Sequence, residues 1–74
     1  MGEEKMIRLW AYEDAPKDLQ ELAEVSNNCV SIVVVPLNGK DDFENGVFYD
    51  ALCSGYIPPE RRRMGEYYVY HIYL

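Results

Sequence analysis

The chain has 74 residues, 49% of them apolar, and a formal net charge of −6. That length makes one domain, which buries only about 60% of the surface its unfolded chain exposes. Two cysteines are too few for a disulfide framework, and no apolar run approaches the ~18 residues of a membrane-spanning helix.

The start Met1-Gly2-Glu3-Glu4-Lys5 is short and acidic, unlike a secretory leader, which predicts a cytoplasmic protein. Residues 1–74 read as one domain, with 1–5 as a frayed end and Met6 as an alternative start. Met6 to Tyr12 then alternates. Ile7, Leu9 and Ala11 point one way, and Arg8, Trp10 and Tyr12 the other, as in a first strand. Glu13-Asp14-Ala15-Pro16 opens a helix. Proline suits its first turn, Asp14 can cap it, and acids suit the positive end of its dipole. Leu19, Leu22, Ala23 and Ser26 share one helical face, while Lys17, Asp18, Gln20, Glu21 and Glu24 take the other. Asn27-Asn28 ends the helix.

Cys29 opens the next strand, where a thiol acts as a small hydrophobe and is expected reduced. Val30-Ser31-Ile32-Val33-Val34-Val35 is β-branched and apolar on both faces, the pattern of a central strand covered above and below. Pro36 ends it. Strand, helix and strand in about thirty residues predict a βαβ unit with parallel strands and a right-handed crossover. Asn38-Gly39 turns the chain, and residues 40–46 have room for a single helical turn anchored by Phe43.

From Val47 to Ile57, Val47, Tyr49, Ala51 and Cys53 alternate with Phe48, Asp50, Leu52 and Ser54, which predicts a strand; a helix pairing Phe48 with Leu52 is the alternative. Pro58 to Gly65 reads as a polar loop with a basic tip, Arg61-Arg62-Arg63. Glu66 to Leu74 is strand-like, with Tyr67, Val69, His71 and Tyr73 on one face. The expected fold is therefore α+β: a βαβ start, a β-hairpin, and a mixed sheet of three or four strands with one main helix. One helix leaves a second sheet face carrying Trp10 and Tyr12 with C-terminal aromatics such as Tyr67, His71 and Tyr73. Either residues 38–46 fold over that face or it stays open as a dimer or partner interface.

Residues 13–50 hold nine acids and two bases, a balance of −7, and the remainder balances at +1. Such a surface attracts basic partners and repels a nucleic-acid backbone. Direct nucleic-acid binding is therefore not expected, although sheet aromatics near arginines also suit an RNA-stacking platform. His71, the only histidine, has no local nucleophile signature around it, and structural burial is its expected role. Asp41, Asp42 and Glu44 lack calcium-loop spacing. No phosphate-binding glycine loop is present, and neither a catalytic residue nor a cofactor is expected.

Ile7-Arg8-Leu9-Trp10-Ala11-Tyr12-Glu13-Asp14-Ala15-Pro16-Lys17-Asp18-Leu19, followed by Ser31-Ile32-Val33-Val34-Val35-Pro36, resembles a set of small phage and prophage proteins that read as strand WAY, helix DAP..L and strand VVP. The resemblance covers about the first half of the chain. It implies a non-enzymatic inhibitor of a host nucleic-acid-handling complex, of the anti-CRISPR kind, presenting carboxylates where phosphates would sit. Asp18, Glu21, Glu24, Asp41, Asp42 and Glu44 form the acidic set it would use. The alternative is a homo-oligomeric accessory protein held by Trp10, Tyr12, Tyr67, His71 and Tyr73.

Overall fold

Ile32, Val33 and Val35 have no exposed surface, because the strand they belong to is covered on both sides. A computed structural model describes residues 7–23, 26–52 and 59–73. Four antiparallel strands form one sheet: β1 (Arg8–Ala11), β2 (Cys29–Pro36), β3 (Glu60–Met64) and β4 (Tyr67–Tyr73). Their order is β1-β2-β4-β3, so β2 is central as its β-branched run requires. Three short helices accompany them: α1 (Lys17–Glu21), α2 (Lys40–Glu44) and α3 (Val47–Leu52). The class is α+β.

The parallel crossover and the mixed sheet are corrected. β1 pairs antiparallel with β2, Trp10 opposite Ile32 and Ala11 opposite Ser31. The reason lies in the connector. The sequence pattern carries its helix to Ser26, but α1 has five residues and runs about 7.5 Å. The eight-residue β2 runs about 27 Å. So short a helix cannot carry the chain back along the strand. A 3₁₀ turn at Tyr12–Asp14 absorbs the expected cap, and Pro16 stands at the N-cap without a side-chain bond. Gln20 closes the piece: its Nε2 donates to the carbonyls of Tyr12 (2.8 Å) and Ala15 (2.9 Å).

Residues opposite one another in an antiparallel pair share a face. Trp10, Ile32 and His71 therefore lie on one face, together with Val34, Val69, Glu60 and Arg62. Leu9, Val33, Tyr70 and Arg61 lie on the other, with Val35, Tyr68 and Ile72. Ala15 and Leu19 cover the first face, packing with Ile32, Val69, Cys29 and Tyr73. Phe43, Tyr49 and Leu52 cover the second, against Val33, Val35, Tyr70 and Ile72. The helical turn anchored by Phe43 is α2, and Phe43 is buried.

Two further elements differ from the sequence reading. Val47–Leu52 is helix α3, not strand. Its inward pair is Tyr49 with Leu52, three apart, which a helix places on one face and a strand on opposite faces. Residues 53–57 of the expected strand lie outside the described residues. The partner of β4 is instead Glu60–Met64, inside the expected loop. At a sheet edge charged side chains are tolerated, and the Arg61 guanidinium lies over an aromatic ring, 5.2 Å from the Tyr68 centroid.

The hairpin turns at Gly65-Glu66. Gly65 has φ +62°, and no other residue among those described has a positive φ. Positive φ at the first central position alone is the type II′ pattern. A Cβ on Gly65 would meet nothing within 4 Å, so only the backbone conformation demands glycine. Gly65→Ala should lower unfolding free energy by about 1–2 kcal/mol in urea titration. D-alanine at the same position, introduced by chemical synthesis, should restore it.

Candidate functional site

The exposed carboxylates of residues 13–42 fall into two groups on opposite sides of the sheet. Glu13, Asp14, Asp18 and Glu21 are exposed on the cover formed by the 3₁₀ turn and α1. Lys17 is the one base within that stretch. Asp41 and Asp42 are exposed on α2, over the other face. The expectation of one acidic face is corrected: helices that cover opposite faces of a sheet cannot present one surface. Glu24 lies outside the described residues.

Glu44, the last member of that set, is engaged. Its Oε2 accepts from the Tyr70 hydroxyl at 2.6 Å and from Arg61 Nη1 at 3.0 Å, and its Oε1 accepts from Lys40 Nζ at 3.4 Å. Lys40 also reaches Asp41 at 3.2 Å. The Tyr70 hydroxyl holds the Glu44 carboxyl below its ordinary value, with Arg61 and Lys40 adding to the effect and burial opposing it. Burial, then the Glu44 carboxylate, push the Tyr70 hydroxyl well above its ordinary value. Tyr70 is therefore a fixed donor. The node ties α2 to β3 and β4 across 17 and 26 residues of sequence.

A second node lies on the other face, around Glu60. Its Oε1 accepts from the Tyr73 hydroxyl at 2.7 Å, and its Oε2 lies 3.4 Å from Arg62 Nη2. His71, fully buried, stands over it, with Nδ1 4.0 Å from Glu60 Oε1. His71 Nε2 is 2.8 Å from the Leu19 carbonyl. A carbonyl only accepts, so Nε2 carries the proton and donates, and the histidine pins the last turn of α1 to the sheet. His71 Nδ1 and Arg62 Nε are buried without hydrogen-bond partners.

The expected aromatic interface is thereby corrected. His71 and Tyr73 are interior, and Trp10 and Tyr12 are half-buried beneath and beside α1. Tyr67 alone of that set stays at the rim, 37% exposed. The covering segment is α1, while residues 38–46 went to the opposite face with α3. Antiparallel pairing of β1 caused the exchange, because it put Trp10 beside Ile32 on the side where the chain next returns. Glu60, Tyr70 and Gln20 carry no local signal in the sequence, and Arg62 stands there only as part of a basic tip. Glu60 meets Arg62 two residues on, but the other partners lie 5 to 26 residues away, and the strand register brings Glu60 to Tyr73.

Cys29 is buried, belongs to no disulfide and donates weakly to the Ser31 carbonyl at 3.6 Å. Burial pushes its thiol up, away from the reactive thiolate. Cys53 lies outside the described residues. Among the described residues no three histidine, cysteine or carboxylate side chains are grouped to hold a metal ion, and no helix is long and apolar enough to cross a membrane. Comparison of the chain with family models, with curated proteins and with solved structures gives no match.

Two outcomes follow from the nodes. Glu44 titrates below its ordinary 4.5, so its contribution to stability is complete above that pH and is lost as pH falls through the lower folded value. Glu44→Gln should cost about 1–2 kcal/mol at neutral pH and flatten that acid limb in pH-dependent urea unfolding. His71→Ala should cost about 3 kcal/mol or more, from the cavity and the lost bond to the Leu19 carbonyl. The fluorescence of Trp10, the single tryptophan and part of the same cluster, would follow the loss.

Proposed function

We propose that this chain is a non-enzymatic binding protein of phage or mobile-element kind, which blocks a host nucleic-acid-handling defence complex in the anti-CRISPR manner. The observation that carries the proposal is the acidic cover of the first sheet face. Glu13, Asp14, Asp18 and Glu21 are exposed within nine residues, against one lysine. Glu44 and Glu60, by contrast, are held by internal donors and are not offered to a partner.

Carboxylates at this density can occupy the basic groove of a nucleic-acid-binding protein and exclude the phosphates it evolved to hold. The short cover is held rigid by Gln20 and by the His71 bond to Leu19, which limits the entropy lost on docking. The binding surface is the α1 side. Asp41 and Asp42 lie behind the sheet from it.

Transformation of bacteria that carry active CRISPR interference against a plasmid tests this reading. The wild-type chain should restore plasmid uptake in at least one interference type, and its captured complex should dissociate in high salt. Asp18→Lys with Glu21→Lys should weaken that complex by about 100-fold and abolish protection, since close interfacial charge pairs couple by about 1.5 kcal/mol or more each. Asp41→Lys with Asp42→Lys should change neither. Absence of protection in every interference type, or equal protection by the Asp18/Glu21 variant, would overturn the proposal.

A further inference from the structure

The outer edge of β3 differs in sign from the rest of the surface. Within Glu60–Met64 three consecutive arginines meet one carboxylate, in a chain of net charge −6. β3 is an edge strand, paired among the described residues only with β4.

The hydrogen-bond phase of that edge follows from the turn. In a two-residue type II′ hairpin the residues flanking the turn exchange both backbone bonds. These are Met64 and Tyr67. Bonded and non-bonded pairs then alternate, so the backbone groups of Met64, Arg62 and Glu60 point at β4, and those of Arg61 and Arg63 point outward. An independent bond agrees with this phase: Leu37 N donates to the Glu66 carbonyl at 3.2 Å, so the even-numbered backbone groups on this side of the turn point towards β2. Among the described residues no backbone group pairs with Arg61 or Arg63 on the open side.

The side chains sort in the same way. Arg61 and Arg63 lie on the face of Tyr70 and Tyr68, and Arg62 and Met64 on the face of Val69 and Tyr67. Arg61 is shared with Glu44. Arg63 is exposed and makes one bond, from Nε to the Gly65 carbonyl at 3.3 Å, with no carboxylate among the described residues. On the opposite face Met64 and Tyr67 leave apolar surface at the rim.

We propose that the β3 edge accepts an extended peptide of alternating acidic and apolar residues as a fifth strand. The peptide backbone pairs with the outward groups of Arg61 and Arg63. Its acidic side chains lie beside Arg61 and Arg63, and its apolar ones lie beside Met64 and the stem of Arg62, on the face where Tyr67 stands one strand further in. A phosphodiester chain suits this edge less well, because it only accepts hydrogen bonds and would leave the outward carbonyls of Arg61 and Arg63 unpaired.

Fluorescence anisotropy with a labelled decapeptide of alternating glutamate and valine tests this, alongside amide hydrogen exchange read by NMR. Saturable binding is expected, weakened about tenfold or more by Arg63→Glu. A peptide of equal charge with N-methylated backbone on its pairing edge should bind about tenfold more weakly or worse. The Arg61 and Arg63 amides should exchange fast in the free chain and slow on saturation, with the Arg62 amide protected throughout. Equal binding of the N-methylated peptide would overturn the proposal in favour of charge alone. Equally tight binding of an oligothymidylate of the same charge would reassign the edge to phosphate. No saturable binding would leave the arginines as guards that keep the edge solvated.

Discussion

A strand that is apolar on both faces obliges the chain to cover it twice. β2 imposes that obligation here, and 74 residues leave little with which to meet it. The covers are helices of five or six residues, far below the length at which a helix holds itself in water. Each must therefore be fastened to the sheet. Phe43 fastens α2 by burial, with its ring 5.0 Å from that of Tyr70 and 5.2 Å from that of Tyr49. Leu19 and Ala15 do the same for α1. Apolar contact alone does not fix where a helix of little more than one turn sits, because it is non-directional. The polar nodes supply direction.

The two nodes are built alike, and each uses a carboxylate to gather donors from the outer strand and from β4. Glu44 reaches from a helix to the sheet, taking Tyr70 and Arg61. Glu60 stays within the sheet, taking Tyr73 and Arg62 beneath α1. The first is well satisfied, with three donors around one carboxylate. The second is not: His71 Nδ1 and Arg62 Nε are left without partners in a buried setting. Buried orphans of this kind cost stability, so the α1 side is the less secure of the two covers. What secures it is the single bond from His71 to the Leu19 carbonyl, which makes this buried histidine the counterpart of Glu44.

How much of this the sequence discloses depends on whether a signal is local. β2 and β4 are legible because their pattern is carried by the residues themselves, and Phe43 marks α2 as the one large apolar group in a polar stretch. β3 is illegible for the opposite reason. Glu60-Arg61-Arg62-Arg63 has no strand pattern, and it becomes a strand because Gly65 can turn the chain against β4. α3 was misread because Tyr49 and Leu52 serve a helix while Val47, Tyr49 and Ala51 imitate a strand. The antiparallel turn of β1 hinged on where α1 stopped, and helix boundaries are weakly encoded when no side-chain cap marks them. Of the candidate sites, the exposed carboxylates were legible as charge. Their division between two sides of the sheet was not, because it follows from the strand order.

That division bears on function. Among the described acids two sets stand apart, and net charge does not separate them. Glu44 and Glu60 are interior fasteners, each with an arginine of β3 drawn to it. Glu13, Asp14, Asp18 and Glu21 hold nothing together among the described residues, yet they crowd one short cover against their mutual repulsion. A cover needs only Ala15 and Leu19 inward, and neutral polar residues outward would serve folding as well or better. A basic surface would relieve the repulsion, and that asymmetry between the free chain and a complex is the physical ground for the proposal that recognition lies on this side of the sheet.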